Sequence, residues 1–146
     1  MVRLKTRYLV VEVTPASASA RKPLTLQRDD VAGLIRESIA RNYGDYGVGL
    51  LQYAFHVLYF SPHTRFAVVR CAREQCKLVE SSLAFVTESQ NQELRVRVAR
   101  VCGSGRTCRA HLLAFSLERA EAQHLASAYV DFPKELEDEI AAIEAQ

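Results

Sequence analysis

The run RVCGSGRTCR at residues 100–109 places a glycine-rich break between an arginine-bearing strand and the start of a helix. Unpaired N–H groups at a helix start, glycine backbone that a ligand can approach closely, and flanking guanidiniums together make a seat for a phosphate. Ser104, Gly105, Arg106 and Arg109 are the candidate contacts there, joined by Arg95, Arg97 and Arg100 from the preceding strand. A second basic set opens the chain. In MVRLKTRYLVVEV, Arg3, Lys5 and Arg7 share one parity with Leu9, Val11 and Val13. Side chains alternate between the faces of a strand, so the far half of that face suits a core and the near half carries cations that a core rejects. The spacing predicts a strand that runs past its own core and presents Arg3, Lys5 and Arg7 to phosphates.

Other chemistries find less support. The four histidines (His56, His63, His111, His124) form no ligand or triad spacing with a cysteine or carboxylate, and no paired acids stand at strand ends. General acid–base catalysis needs such a constellation, so no catalytic residue is expected. Cys71, Cys76, Cys102 and Cys108 have the spacings CxxxxC and CxxxxxC, wider than the tight pairs of structural zinc sites. They are expected to be small, reduced, buried side chains, with no metal and no cofactor bound by the protein itself.

Charge distribution says more than its sum. From Tyr129 to Gln146 one lysine faces six acids, a balance of −5, which leaves +7 on the rest of a chain whose total is +2. The stretch Leu94–His111 holds five arginines and no acid. A basic body with an acidic tail suits a polyanionic partner better than a small-molecule substrate. Glu12 ends the first apolar run early, so the cationic N-terminus is not read as a secretory signal. Tyr46–Thr64 lacks Asp, Glu, Lys and Arg, but its glycines, histidines and Pro62 read as a loop and a strand, so a soluble chain with no membrane partner is expected.

The elements that must position these residues follow from periodicity. After the first strand, TPASASARKP is a loop, and a helix is predicted over about Gln27–Tyr43, with Asp29 and Asp30 in its first turn and Gly33 marking close packing on the sheet. GDYGVG then opens a long strand, Leu50–Phe60, with Leu51, Tyr53, Phe55, Val57 and Tyr59 on one apolar face. Arg65–Cys71 returns as a hairpin, Glu74–Thr87 is helical, SQNQE is a loop, Leu94–Val101 is a strand, and Arg106 to about Ala128 is a third helix. The order β-α-β-β-α-β plus a C-terminal helix predicts an α+β, ferredoxin-like or RRM-like sandwich: a four-stranded antiparallel sheet with both helices on one face. Residues 1–128 form this domain and 129–146 an acidic tail. The fourth strand lies beside the first, which brings the two basic sets toward one patch.

The usual base-stacking signature of RNA-recognition folds is missing, since the third strand reads RFAVVRC. Contact through phosphates and shape is therefore expected rather than capture of splayed bases. Several motifs together (MVRLKTRY, IARNYGDYG, VVRC, LVESSLAFVT and GSGRTC) resemble the Pop-five family, in register from Met1 to about Phe115. Members are small protein subunits of ribonuclease P and ribonuclease MRP. The resemblance implies a protein that does not itself cut RNA, but binds and stabilises the catalytic RNA that removes 5′ leaders from precursor tRNA, with Mg²⁺ on that RNA. It also implies a TIM-barrel-like protein partner, pairing with a related small subunit or with itself, and, from the eukaryotic look of the opening, residence in the nucleus and nucleolus. The competing reading is a protein–protein adaptor whose basic surface is incidental.

Overall fold

The computed structural model describes residues 4–16, 24–122 and 140–141. Within them the elements are β1 (Thr6–Pro15), α1 (Arg28–Leu51), β2 (His56–Phe60), β3 (Phe66–Ala72), a 3-10 turn (Arg73–Gln75), α2 (Cys76–Ala84), β4 (Glu88–Ser89), β5 (Gln92–Cys102) and α3 (Gly105–Ala122). All strand pairs are antiparallel, in the order β2-β3-β1-β5-β4. The sheet thus has five strands rather than four. The polar run read as a loop is a hairpin, Glu88–Ser89 against Gln92–Glu93, whose turn residues Gln90 and Asn91 both take positive φ (50° and 62°). A two-residue hairpin turn demands that backbone, and Asn tolerates it well.

β1 is central because its middle is apolar on both faces. Leu9, Val11 and Val13 pack with Val31, Ile35 and Ile39 of α1 and Val79 and Leu83 of α2. Val10 faces the other way, packing with Val68 and Cys102 of the sheet against Cys108 and Leu112 of α3. Leu9, Val10 and Val11 are each 0% exposed, and each such side chain contributes about 1.5–3 kcal/mol relative to exposure. Periodicity also puts Leu34, Leu78 and Val86 on the sheet-facing sides of these helices: Leu34 and Leu78 pack on that cluster partly exposed, and Val86 is half-buried. Gly33 departs from expectation. It is exposed, and a β-carbon there would meet nothing within 4 Å.

The largest correction concerns residues 44–55. The predicted strand from Leu50 is shorter, His56–Phe60, because α1 resumes after a kink and runs to Leu51. Gly44 makes the kink, at φ 65° and ψ −161°, a backbone open in practice only to glycine. Gly47 then lets the second segment lie against the first, since a β-carbon there would fall 2.5 Å from Tyr43 Cβ. Leu51 and Phe55 are buried as expected, but Tyr53 between them is 84% exposed. A spacing of four satisfies both the strand period and the helix period, so Leu51 and Phe55 fit either reading and only Tyr53 separates them. Farther on, a register shift between Val57 and Tyr59 sends Tyr59 to the cluster under α3, away from Phe55.

The predicted end of the third helix, residues 123–128, lies outside the described residues, as does most of the 129–146 tail. Ile140 is described, and it is 3% exposed within the cluster beneath α3. Among the described residues no helix is long and apolar enough to cross a membrane.

Candidate nucleic-acid interface

Sheet register decides which basic residues meet. β1 and β5 run antiparallel, with Tyr8 opposite Cys102 and Thr14 opposite Arg95. The start of β1 therefore lies at the end of β5, beside the Gly103–Ser104–Gly105 break. A β-carbon on Gly105 would sit 3.7 Å from Tyr8 Cζ, which places the break over the Tyr8 ring. Lys5, Arg7, Arg100, Arg106 and Arg109 consequently gather toward one end of the sheet. Arg95 and Arg97 lie toward the other end, Arg95 being seven residues before Cys102, or roughly 20 Å along the strand. Arg3 lies outside the described residues.

The opening strand does not fray where the described residues begin. Thr6 and Arg7 pair with Ala72 and Cys71 of β3, and the Arg73 N–H donates to the Lys5 carbonyl at 2.8 Å. Lys5 is exposed. Arg7 is half-buried: its Nη1 donates to the Thr6 carbonyl at 2.9 Å, and its charge acts on the Cys76 thiol at the start of α2. The Arg73 link shows what the sequence reading missed. Arg70, opposite Tyr8, and Arg73, in the turn after β3, belong to the same end of the sheet, with Glu74 as an acid beside them. The signal was present in VVRCAR, which ends the strand expected next to β1.

At the helix start, Ser104 acts as a cap. Its Oγ accepts from the Thr107 N–H at 3.3 Å and bonds the Thr107 hydroxyl at 2.9 Å, while its carbonyl accepts from the Cys108 N–H at 3.1 Å. The hydroxyl thereby fixes where α3 begins. The first turn of α3 contains no acid, and Arg106 is exposed while Arg109 is half-buried, so the positive end of the helix dipole adds to two guanidiniums.

Arg97 has a different neighbourhood. Its Nη2 donates to Glu12 Oε2 at 2.6 Å, and Arg119 of α3 holds the other oxygen of the same carboxylate. Burial works to raise the Glu12 pKa, but hydrogen bonds and charge from Arg97 and Arg119 outweigh it and hold the carboxyl below the usual carboxylate range. The Arg119 guanidinium also lies 5.1 Å from the centre of the Phe66 ring, which stacks on Phe115 at 5.9 Å. α3 is thus fastened over the sheet face that would otherwise offer aromatics to bases, and Phe66 is 4% exposed beneath it. Glu12 entered the sequence reading only as the end of an apolar run; its pairing depends on a strand register that periodicity does not give.

All four cysteines are free thiols, paired as Cys71 with Cys76 and Cys102 with Cys108. Burial and the neighbouring thiol push Cys71 and Cys108 up to about 12, which keeps both protonated at neutral pH. Among the described residues, no three His, Cys, Asp or Glu side chains gather in a way that could hold a metal ion.

A fold with its basic residues gathered at one end of a covered sheet can be compared with known proteins. The model of the Rpp14/Pop5 family matches residues 7–113. The chain belongs to that family. A Bos taurus relative named ribonuclease P/MRP protein subunit POP5 is 35% identical over 120 residues, covering 80% of this chain and 69% of the relative. A relative of the same name from Schizosaccharomyces pombe is 30% identical over 132 residues, covering 86% of this chain and 94% of the relative. A chain in the cryo-EM structure of yeast ribonuclease MRP shares the fold, with a TM-score of 0.58 at 14% identity, over 87% of this chain and 98% of that one. The family match begins at Arg7 and ends at Leu113, so it takes in β1, the GSGR break and the first turns of α3.

Proposed function

We propose that this Rpp14/Pop5 family member is a non-catalytic protein subunit of ribonuclease P and of ribonuclease MRP, with a ferredoxin-like core. It binds and stabilises the catalytic RNA that removes 5′ leaders from precursor tRNA. The observation that carries the reading is the gathering of Lys5, Arg7, Arg100, Arg106 and Arg109 around the acid-free start of α3. Such a surface neutralises phosphates that would otherwise repel one another as RNA segments close on each other. It reads backbone position rather than base identity, in keeping with Phe66 being covered. Mg²⁺ is assigned to the RNA; this chain supplies fixed charge. Arg3, Lys5, Arg7, Arg95, Arg97, Arg100, Ser104, Gly105, Arg106 and Arg109 are the proposed contacts, with Arg97 sharing its charge with Glu12 and Ser104 acting through the cap.

Protein partners belong to the same reading: a TIM-barrel-like subunit, and a related small subunit or a second copy, in the nucleus and nucleolus. Tyr46, Val48, Leu50 and Tyr53, all exposed around the end of α1, favour the pairing role, since clustered exposed apolar side chains mark association surfaces. The test is reconstitution. RNA-free protein, pretreated with nuclease, leaves precursor tRNA uncut, and adding the chain to its RNA and partner subunits raises 5′ cleavage. Robust cleavage by the RNA-free protein, or no effect of omitting it from the particle, would overturn the proposal.

A further inference from the structure

On the face opposite α3, the first half of α1 and the α2–β4 connection enclose a groove of about 520 Å³. Its α1 wall repeats every four residues, from Asp29 through Gly33 and Glu37 to Arg41, so it runs lengthwise along the helix for roughly 20 Å. Leu34, Phe85 and Val86 give it an apolar floor and rim. Phe85 is 63% exposed, directly after the last residue of α2. Three of the groove's acids, Asp29, Glu37 and Glu88, are exposed, and the fourth, Asp30, accepts from the Gln27 N–H at 2.9 Å. Among the described residues Arg41, paired with Glu37 at 2.9 Å, is the groove's one base, so the described lining carries −3.

We infer that this groove is a docking site for a basic protein segment that carries an apolar anchor. Charge complementarity selects the occupant. A groove of −3 in a chain whose first 128 residues carry +7 repels RNA and anionic lipid, and attracts lysine or arginine. Phe85, Leu34 and Val86 ask for an aliphatic or aromatic side chain, because an exposed aromatic beside a groove gains most when a partner covers it. Gly33, with open space where a β-carbon would be, lets that segment approach the α1 backbone. Its length of roughly 20 Å accommodates a helix of about thirteen residues. The groove and the basic end of the sheet share no residue, so this inference stands or falls separately from the RNA reading.

The test uses the full chain and three probes: a thirteen-residue leucine–lysine amphipathic peptide, its leucine–glutamate counterpart, and a twelve-nucleotide oligouridylate. Amide resonances report where each binds. The expected result is that the basic peptide moves the amides of Gly33, Leu34, Phe85, Val86 and Thr87, while the other two leave them in place. Phe85→Ala should weaken the basic peptide about tenfold, and combined Asp29→Lys, Glu37→Lys and Glu88→Lys should abolish its binding. All four are exposed side chains, and thermal melts of both variants check that the fold is kept. The inference is overturned if the basic peptide fails to bind, binds elsewhere, binds the charge-reversed variant equally well, or if oligouridylate occupies the groove. Failure of oligouridylate to bind anywhere would count against the RNA reading alone.

Discussion

Glu12 shows how much one side chain can organise. Its carboxylate takes hydrogen bonds from Arg97 on β5 and Arg119 on α3, so a single acid ties two arginines and two elements to the central strand. Because its folded pKa is depressed, it contributes stability above the pKa of the unfolded chain, and that stability is lost as pH falls through the folded value. Glu12→Gln should therefore cost about 1.5–3 kcal/mol near neutral pH, the usual range for hydrogen bonds to charged groups. The same variant should show less loss of stability than wild type as pH is lowered from about 5, because it lacks this titration. Thermal melts across that range check both statements; parallel curves for the two proteins would refute the second. The arginine side of this arrangement was legible in LRVRVAR, whose alternation put Leu94, Val96 and Val98 toward the core and Arg95 and Arg97 outward. The acid was not. Glu12 meets Arg97 only because the register shifts between Val10 and Val11, where Ala99 is passed over in the pairing, and no single-strand pattern announces such a shift.

At the scale of the element, α1 separates what periodicity can and cannot read. Its first segment carries a clear stripe, Val31, Ile35 and Ile39, and acids in its first turn. The second segment was hidden by its glycines, which read as a loop and strand opening, although they serve to let one helix continue past a kink. Three glycines in the same helix should then respond differently to alanine. Gly44→Ala places a side chain at φ 65°, ψ −161° and should cost about 1–3 kcal/mol of backbone strain. Gly47→Ala forces a β-carbon against Tyr43 and should cost about 1–3 kcal/mol as overpacking does. Gly33→Ala meets open space in a regular helical turn and should stabilise by up to about 1 kcal/mol. Denaturant melts of the three variants decide this; a destabilised Gly33→Ala would contradict the description of α1.

Across the whole molecule, a net charge of +2 conceals a division of labour between faces. Among the described residues, basic side chains gather at one end of the sheet near α3 while the groove beside α1 is acidic, so the basic end offers a polyanion a more favourable approach than the groove. The sequence placed the arginines on the correct strand and turn, yet the roughly 20 Å between Arg95 and the GSGR break depends on pairing geometry, as does the recruitment of Arg73 through its bond to Lys5. That geometry makes the salt dependence of RNA binding specific. Lys5 and Arg106 are both exposed, so replacing them with alanine should leave the melt unchanged. If each seats one phosphate, the slope of log affinity against log salt should flatten by about 0.7–0.9 per residue. Between ~50 and ~200 mM salt the wild-type protein would then lose about ten times more affinity for its RNA than the double variant does. Arg7 makes a poorer probe because its Nη1 bonds the Thr6 carbonyl, so Arg7→Ala mixes lost charge with lost local structure. A Lys5→Ala, Arg106→Ala protein that melts normally and keeps the wild-type slope would remove this end of the sheet from the RNA interface, and would leave Arg95 and Arg97, at the other end, to carry whatever binding remains.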